Sequence, residues 1–152
     1  MYTIEIPGRG TLQLSYAVFD FNGTLADGGE LFSSIGVLIM RLSSLLECVV
    51  LTADTFGSVH EALKTLPVRT EIVNSGTDKA NVIKLLRGGV VVVGNGLNDY
   101  EMMTAADLSI ITAGPEGTAA KSIMVADIFV PNIYTAFDLL LQPKKMIATL
   151  RS

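Results

Sequence analysis

Val18-Phe19-Asp20-Phe21-Asn22-Gly23-Thr24-Leu25 decides how the chain is read: an apolar run ends on an acid, and an Asn-Gly turn follows at once. Ser15 to Asp20 has the length and composition of a buried strand. In an open parallel sheet, ligands bind beyond the carboxyl ends of the strands, where Asp20 would stand. A carboxylate in that place can attack phosphorus and carry the phosphoryl group as an aspartyl phosphate. The plainer alternative is turn chemistry alone, because Asp before Asn-Gly commonly opens a turn. This stretch by itself leaves both readings open.

Outward from it, strands and helices alternate. Upstream, Met1 to Gln13 alternates around Pro7-Gly8-Arg9-Gly10 and predicts a short N-terminal β-hairpin. Downstream, Asp27-Gly28-Gly29 punctuates, and Leu31 to Leu46 carries apolar residues at helical spacing. Cys48 to Leu51 reads as a buried strand ending at Thr52-Ala53-Asp54, Ser58 to Leu66 as a helix stopped by Pro67, and Val68 to Val73 as a strand. Asp78 to Leu86 is a helix closed by Gly88-Gly89, and Val90 to Val93 is an all-valine strand. Helices over Asn98–Ala106, Gly117–Met124 and Ile133–Leu141 alternate with strands over Leu108–Thr112 and Ile128–Val130. Pro143-Lys144-Lys145 then interrupts before a short basic tail. Strands that are continuous apolar runs, alternating with helices, predict an α/β fold: a three-layer, Rossmann-like parallel sheet with helices on both faces. Short connections throughout predict one domain over 1–152.

Composition narrows the function classes. With 152 residues, 49% of them hydrophobic, the chain is long and apolar enough for a substantial core. A net charge of −4, without a basic cluster, argues against binding to nucleic acid or to an acidic membrane surface. The single cysteine, Cys48, sits in an apolar run and reads as a small buried hydrophobe, which suits a reducing compartment. No signal-like or membrane-spanning pattern stands out, so a cytoplasmic protein is expected.

Polar groups recur where the strands end: Asp20 and Asn22, then Thr52, then Lys79 at a helix start, then Asn95, Asn98 and Asp99. Taken singly, Thr52 is an ordinary strand terminus and Lys79 an ordinary helix residue. The strand ends of a parallel sheet share one edge, so these groups can converge. A carboxylate, a hydroxyl, a cation and an acidic loop are what phosphoryl transfer calls for, since that reaction is mostly positioning and charge neutralisation.

These residues carry a resemblance. Asp20-Phe21-Asn22-Gly23-Thr24-Leu25 resembles the first motif of the haloacid dehalogenase superfamily of phosphohydrolases, Thr52 is similar to the second, Lys79 to the third, and Gly94-Asn95-Gly96-Leu97-Asn98-Asp99 to the fourth. The last run, with Ala106-Asp107 and Ala126-Asp127 after it, resembles the phosphorylation domain of P-type ATPases, here as a free-standing soluble relative. The likeness spans Ala17 to Leu141. It implies Asp20 as the nucleophile, with Asn22, Thr52 and Lys79 completing the catalytic positions. It implies phosphate contacts at Gly23, Thr52, Ala53, Lys79 and Asn98. It also implies Mg²⁺ held by Asp20, the backbone carbonyl of Asn22, Asn95 and Asp99, an oxygen set of the kind magnesium prefers.

The departures bear on rate. Phosphatases of the superfamily carry Asp two residues after the nucleophile as general acid and base; here it is Asn22, which neither gives nor takes a proton at neutral pH. P-type ATPases also lack that Asp, carrying Thr there, and use a long-lived phosphoaspartate. Asn95 replaces the Asp of the ATPase-like motif, which removes a charge from the metal site and leaves Asp99 as the ionised partner expected in that loop. The spacing between motifs leaves no room for a cap domain, so the site would be open to a large substrate, a protein partner or a second subunit. The stripe Phe32, Ile35, Leu38, Ile39 and Leu42 could supply such a contact, but reads first as ordinary core.

The expectation is therefore a Mg²⁺-dependent phosphohydrolase acting through Asp20 on a phosphorylated substrate, slowed by Asn22. The alternative is a non-catalytic phosphate- or metal-binding regulatory module on the same fold. A receiver-like phosphorylation switch shares the Asp, Thr and Lys, but places its Asp on a middle strand. His60 lacks companion ligands for a metal site, and Gly94-Asn95-Gly96 puts Asp99 where a dinucleotide fingerprint needs glycine.

Overall fold

The protein's computed structural model describes residues 2–53 and 57–152. The chain opens with an antiparallel hairpin, β1 (Tyr2–Ile6) and β2 (Gly10–Leu14), and enters the main sheet through β3 (Tyr16–Asp20). A small hairpin follows, β4 (Ala26–Asp27) and β5 (Glu30–Leu31), and then α1 (Ile35–Leu42). The middle of the chain gives β6 (Glu47–Thr52), α2 (Ser58–Leu63), β7 (Val68–Ile72) and α3 (Gly76–Leu85). It continues with β8 (Val90–Gly94), a 3₁₀ turn (Leu97–Asp99), α4 (Tyr100–Ala105), β9 (Leu108–Thr112) and α5 (Ala120–Ile123). The last elements are β10 (Ile128–Val130), α6 (Ile133–Leu141) and α7 (Pro143–Leu150).

Six strands form one parallel sheet in the order β10-β9-β8-β3-β6-β7. From β3 the chain builds outward through β6 and β7, then returns to the other side of β3 for β8, β9 and β10. The direction of winding reverses between β3 and β8. A crevice opens at such a reversal, beyond the carboxyl ends of the two strands.

Each face of the sheet has its own apolar layer. Phe19, Val50, Val91 and Val93 pack with α1 and α6 residues such as Ile39 and Phe137. Val18, Val49, Leu51 and Val92 pack with Ile83 of α3 and with Met102 and Met103 of α4. Side chains alternate along a strand, so Asp20 leaves β3 on the same side as Val18, towards α3 and α4. On the other side the Phe19 ring stacks on Phe137, with centroids 5.3 Å apart and planes 15° from parallel. Cys48 is buried, and burial together with Glu47 pushes its thiol up to about 12. No helix among the described residues is long and apolar enough to cross a membrane.

The expected order of strands and helices stands, but the helix expected over Gly117–Met124 is confined to Ala120–Ile123, since Gly117 closes a turn instead, and expectations change at two further places. The apolar stretch expected as a helix over Leu31 to Leu46 begins instead as β5, and only Ile35–Leu42 is helical. Gly28 and Gly29 take positive φ, 56° and 89°, which lets the chain fold back as a tight hairpin over the end of β3. Ile35, Ile39 and Leu42 are buried, and Phe32 and Leu38 pack against the same layer, so this stripe is core. Another change is at the C-terminus: Pro143 begins α7 rather than interrupting the chain before a basic tail. Proline at the first helical position has no hydrogen bond to lose, and its fixed φ suits the helix. The helix buries Met146, and the Ser152 amide donates to the Pro7 carbonyl at 3.1 Å, tying the terminus to the first hairpin. Asp54, expected at the polar exit of the Cys48–Leu51 strand, lies outside the described residues.

Phe137 has no exposed surface and forms half of the ring stack, so Phe137→Ala is expected to destabilise the protein by about 3–5 kcal/mol, read as a lower urea midpoint at unchanged m-value.

Candidate active site

Asp20 stands at the end of β3 with 8% of its surface exposed, in the crevice between β3 and β8. α3 supplies its cation. Ser75 caps that helix, its side chain accepting from the Asp78 amide at 3.1 Å, while the Asp78 carboxylate accepts from the Asn74 amide at 3.1 Å. The cap starts the helix at Gly76 and so puts Lys79 in the first turn, against the sheet edge. The Lys79 ammonium, 2% exposed, donates to Asp20 Oδ1 at 2.7 Å and to Asp99 Oδ1 at 2.8 Å.

Asp99 reaches the same point from the loop after β8. It is wholly buried, and its second oxygen accepts from the Asn95 amide at 2.9 Å and the Gly96 amide at 3.0 Å. One carboxylate thus folds its own loop and steadies Lys79. Room for it depends on Gly94, where a β-carbon would stand 2.5 Å from Asp99 Oδ2.

Two carboxylates sharing one ammonium leave the buried group with one uncompensated negative charge. Burial and the charge on Asp99 push Asp20 up to about 6, against the opposing pull of Lys79 and the hydrogen bond from Thr24. Burial works against the charge on Lys79, but Asp99 and Asp20 more than offset it and hold its pKa above the ordinary lysine value.

Thr24 completes the floor of the site. Its hydroxyl lies 3.3 Å from Asp20 Oδ2 and 3.2 Å from Asn95 Oδ1, so two acceptors from different loops converge on a single donor. These oxygens suit a hard cation. Magnesium is commonly held by one or two carboxylates, with water and phosphate filling its shell, and the residual negative charge of the Asp20–Lys79–Asp99 group favours a cation there. Among the described residues, no group of three or more His, Cys, Asp or Glu forms a metal cage.

The structure brings Asp20, Lys79, Asn95 and Asp99 together, as the sequence implies, and adds Thr24, to which the motifs give no separate role. The other expected residues fall around them. Thr52 is buried at the end of β6, the strand paired with β3, and Ala53 is exposed just after it. Gly23, with φ 83°, lies against Asn95. The Asn22 side chain is turned to the small hairpin, its Oδ1 accepting from the Gly29 amide at 2.9 Å. Asn98 is exposed and lines an open cleft of about 470 Å³ with Gly76, Thr77, Tyr100, Glu101 and Lys121. Asp99, expected as a metal ligand, has both oxygens engaged by Lys79 and by backbone amides. A carboxylate that the sequence does not single out, Glu116, arrives on the loop after β9 and lies over Gly23. Its surroundings, Gly114-Pro115-Glu116-Gly117, signal a turn and nothing more.

Known proteins agree with this architecture. An uncharacterised protein of Methanocaldococcus jannaschii is 42% identical over 62 residues, which span 41% of this chain and 67% of that protein. Among solved structures, the 3-deoxy-D-manno-octulosonate 8-phosphate phosphatase of Moraxella catarrhalis, in complex with magnesium ion, phosphate ion and a KDO molecule, superposes with a TM-score of 0.71. It is 16% identical, over 91% of this chain and 94% of its own. A zinc-transporting PIB-type ATPase gives a TM-score of 0.65 at 23% identity, over 78% of this chain and 20% of the transporter. No family model matches the sequence.

Two expectations follow from the charge balance. A carboxyl whose folded pKa is raised binds its proton more tightly when folded, so its contribution to stability falls as pH rises from about 4 towards its folded value of about 6. Asp20→Asn is therefore expected to be more stable than the natural protein at pH 7, by on the order of 2 kcal/mol, with the difference gone below about pH 4 in urea titrations. Lys79→Met leaves two buried carboxylates without their cation and is expected to cost about 3–5 kcal/mol. Adding Asp20→Asn to Lys79→Met removes one of those carboxylates, and the double variant should recover part of that loss.

Proposed function

We propose that this chain, which belongs to one family with the archaeal protein and has the haloacid dehalogenase fold, is a divalent-metal-dependent phosphohydrolase that works through an aspartyl phosphate on Asp20. The observation that carries this reading is the buried Asp20 carboxylate at the β3–β8 crevice, held on one oxygen by Lys79 at 2.7 Å and on the other by Thr24 at 3.3 Å. A carboxylate fixed at both oxygens has little freedom to lose on reaching phosphorus. With a folded pKa of about 6 it is mostly ionised at neutral pH, as a nucleophile must be.

Each neighbour then has a part. Lys79 meets the charge of the arriving phosphoryl group from the side of α3, and Asp99 holds Lys79 in place. Thr52 and the backbone of Gly23 and Ala53, just past the ends of β3 and β6, would contact the phosphoryl oxygens. Asp20, Asn95 and the Asn22 carbonyl are the oxygens that would hold Mg²⁺. When bound, that ion polarises the phosphoryl oxygens and neutralises their charge. Beside the nucleophile loop, a cleft of about 300 Å³ is lined by Gly23, Thr24, Phe32, Pro115, Ile133 and Tyr134, which suits a leaving group with an apolar or aromatic portion. No cap segment interrupts the path between β3 and β6 beyond the small hairpin and α1, so this site is open.

The second reading, a binding module without turnover, is favoured by one observation: the side chain at the usual acid/base position is an amide, and it is committed to the Gly29 backbone. The two readings separate on hydrolysis of an aryl phosphate and of acetyl phosphate with Mg²⁺. The natural protein is expected to turn over slowly but above Asp20→Asn. Asn22→Asp, which keeps an acceptor for the Gly29 amide, is expected to be faster by at least about tenfold, towards the roughly 10²–10⁴ that acid–base help commonly supplies. Activity no greater than that of Asp20→Asn in both the natural protein and Asn22→Asp, with magnesium still bound, would support the binding module.

A further inference from the structure

We propose that Glu116 is the general base that takes a proton from water when the aspartyl phosphate on Asp20 is hydrolysed, standing in for the carboxylate that Asn22 lacks. This rests on the phosphohydrolase reading of the site.

Two glycines bring Glu116 to the nucleophile loop. Gly117 donates its amide to the Gly114 carbonyl at 2.9 Å, closing a turn with Pro115 and Glu116 at its centre. That turn lies directly on the loop that follows Asp20: a β-carbon at Gly114 would run into the Gly23 carbonyl oxygen. From the other side, a β-carbon at Gly23 would run into Glu116 Oε2 and stand 2.6 Å from Asn95 Nδ2. The Glu116 carboxylate therefore rests on the bare backbone of Gly23, one residue beyond Asn22 and beside Asn95.

The turn is held there from several directions. Asn95 Nδ2 donates to the Gly117 carbonyl at 3.3 Å, the Ala119 amide donates to the Asn95 carbonyl at 3.0 Å, and the Thr118 hydroxyl donates to the Thr112 carbonyl at 3.0 Å. A continuous path of contacts thus joins Asp20, Thr24, Asn95 and the turn that carries Glu116. Asp99 is not available for proton transfer, since Lys79 and two amides occupy its oxygens. Glu116 is exposed, so water reaches it.

In the hydrolytic step, the water oxygen forms a bond to phosphorus while the bond from phosphorus to the Asp20 oxygen breaks, its electron pair returning to the Asp20 carboxylate. The proton released by water moves to Glu116, which later gives it up to solvent, and inorganic phosphate leaves. The role assigned to Glu116 is confined to dephosphorylation and gives it no part in departure of the leaving group. It suits substrates whose leaving group needs no proton, of which acyl phosphates are one class.

The test is the lifetime of the phosphoenzyme formed from radiolabelled acetyl phosphate at saturating Mg²⁺, followed after a chase. Glu116→Gln is expected to form phosphoenzyme as the natural protein does and to retain it about 10²-fold longer, and Asn22→Asp on that background is expected to shorten the lifetime again. A merely structural role for Glu116 predicts neither the longer lifetime nor its rescue. An unchanged lifetime in Glu116→Gln would overturn the proposal. So would an unchanged lifetime joined to a raised Mg²⁺ requirement, which would make Glu116 a metal ligand. Phosphoenzyme absent from the natural protein and both variants, as from Asp20→Asn, would instead sink the phosphohydrolase reading, and this proposal with it.

Discussion

The site depends on one buried ammonium. Lys79 reaches across from the first turn of α3 to carboxylates on β3 and on the loop after β8, and so joins the halves of the sheet that the winding reversal separates. Burying such a group is costly, and each charge depends on the others for compensation. Because the cluster carries more negative than positive charge, the fold holds Asp20 less favourably when ionised than an isolated ion pair would. That residual charge is also what a divalent cation would complement. Stability and binding are thus set against each other within a single hydrogen-bonded group.

Close backbone approach is the second constraint, and it explains where glycine is required. Gly94 makes room for the Asp99 carboxylate, and Gly76 lets α3 start against the 3₁₀ turn, where a β-carbon would stand 2.8 Å from the Asn98 carbonyl. Gly23 and Gly114 bring the loops after β3 and β9 into contact. Each of these glycines sits where a strand or helix meets the crevice, so side chains from distant parts of the sequence can converge on Asp20 without long loops. The apolar strands supply the rigid platform, and the glycines set the distances on it.

Much of this is legible in the sequence because it follows from pattern. The valine run at Val90–Val93 and the apolar run into Asp20 have the character of buried strands, and their alternation with helices implies a parallel sheet whose ends share an edge. The convergence of Asp20, Lys79 and Asp99 then follows from topology. What pattern leaves out is local. Gly28-Gly29 has the composition of punctuation, though two positive φ angles make it the turn of a hairpin. Pro143 has the composition of a stop, though at the first position it starts a helix. Which oxygens Asp99 spends on its own loop is a matter of hydrogen-bond geometry, and spacing says nothing of it. Glu116 is invisible for the same reason: its placement comes from contact between the loops after β3 and β9, far apart in the chain, and no local motif encodes that contact.

The two asparagines gain a physical sense from this arrangement. An aspartate at position 95 would add a negative charge beside a buried cluster that already carries an excess of one, within reach of the same Thr24 hydroxyl. Two acceptors now share that donor, and the amide form lets one of them be neutral while Nδ2 ties down the turn that bears Glu116. A carboxylate at 95 could not donate that bond. Asn95 therefore exchanges a second charge beside the cluster for a hydrogen bond that fixes the neighbouring loop. At position 22 the amide serves the small hairpin, its oxygen accepting from the Gly29 amide. The two amides thus each hold a loop, Asn22 the small hairpin and Asn95 the turn that bears Glu116, and the second of these bonds depends on Asn95 being an amide.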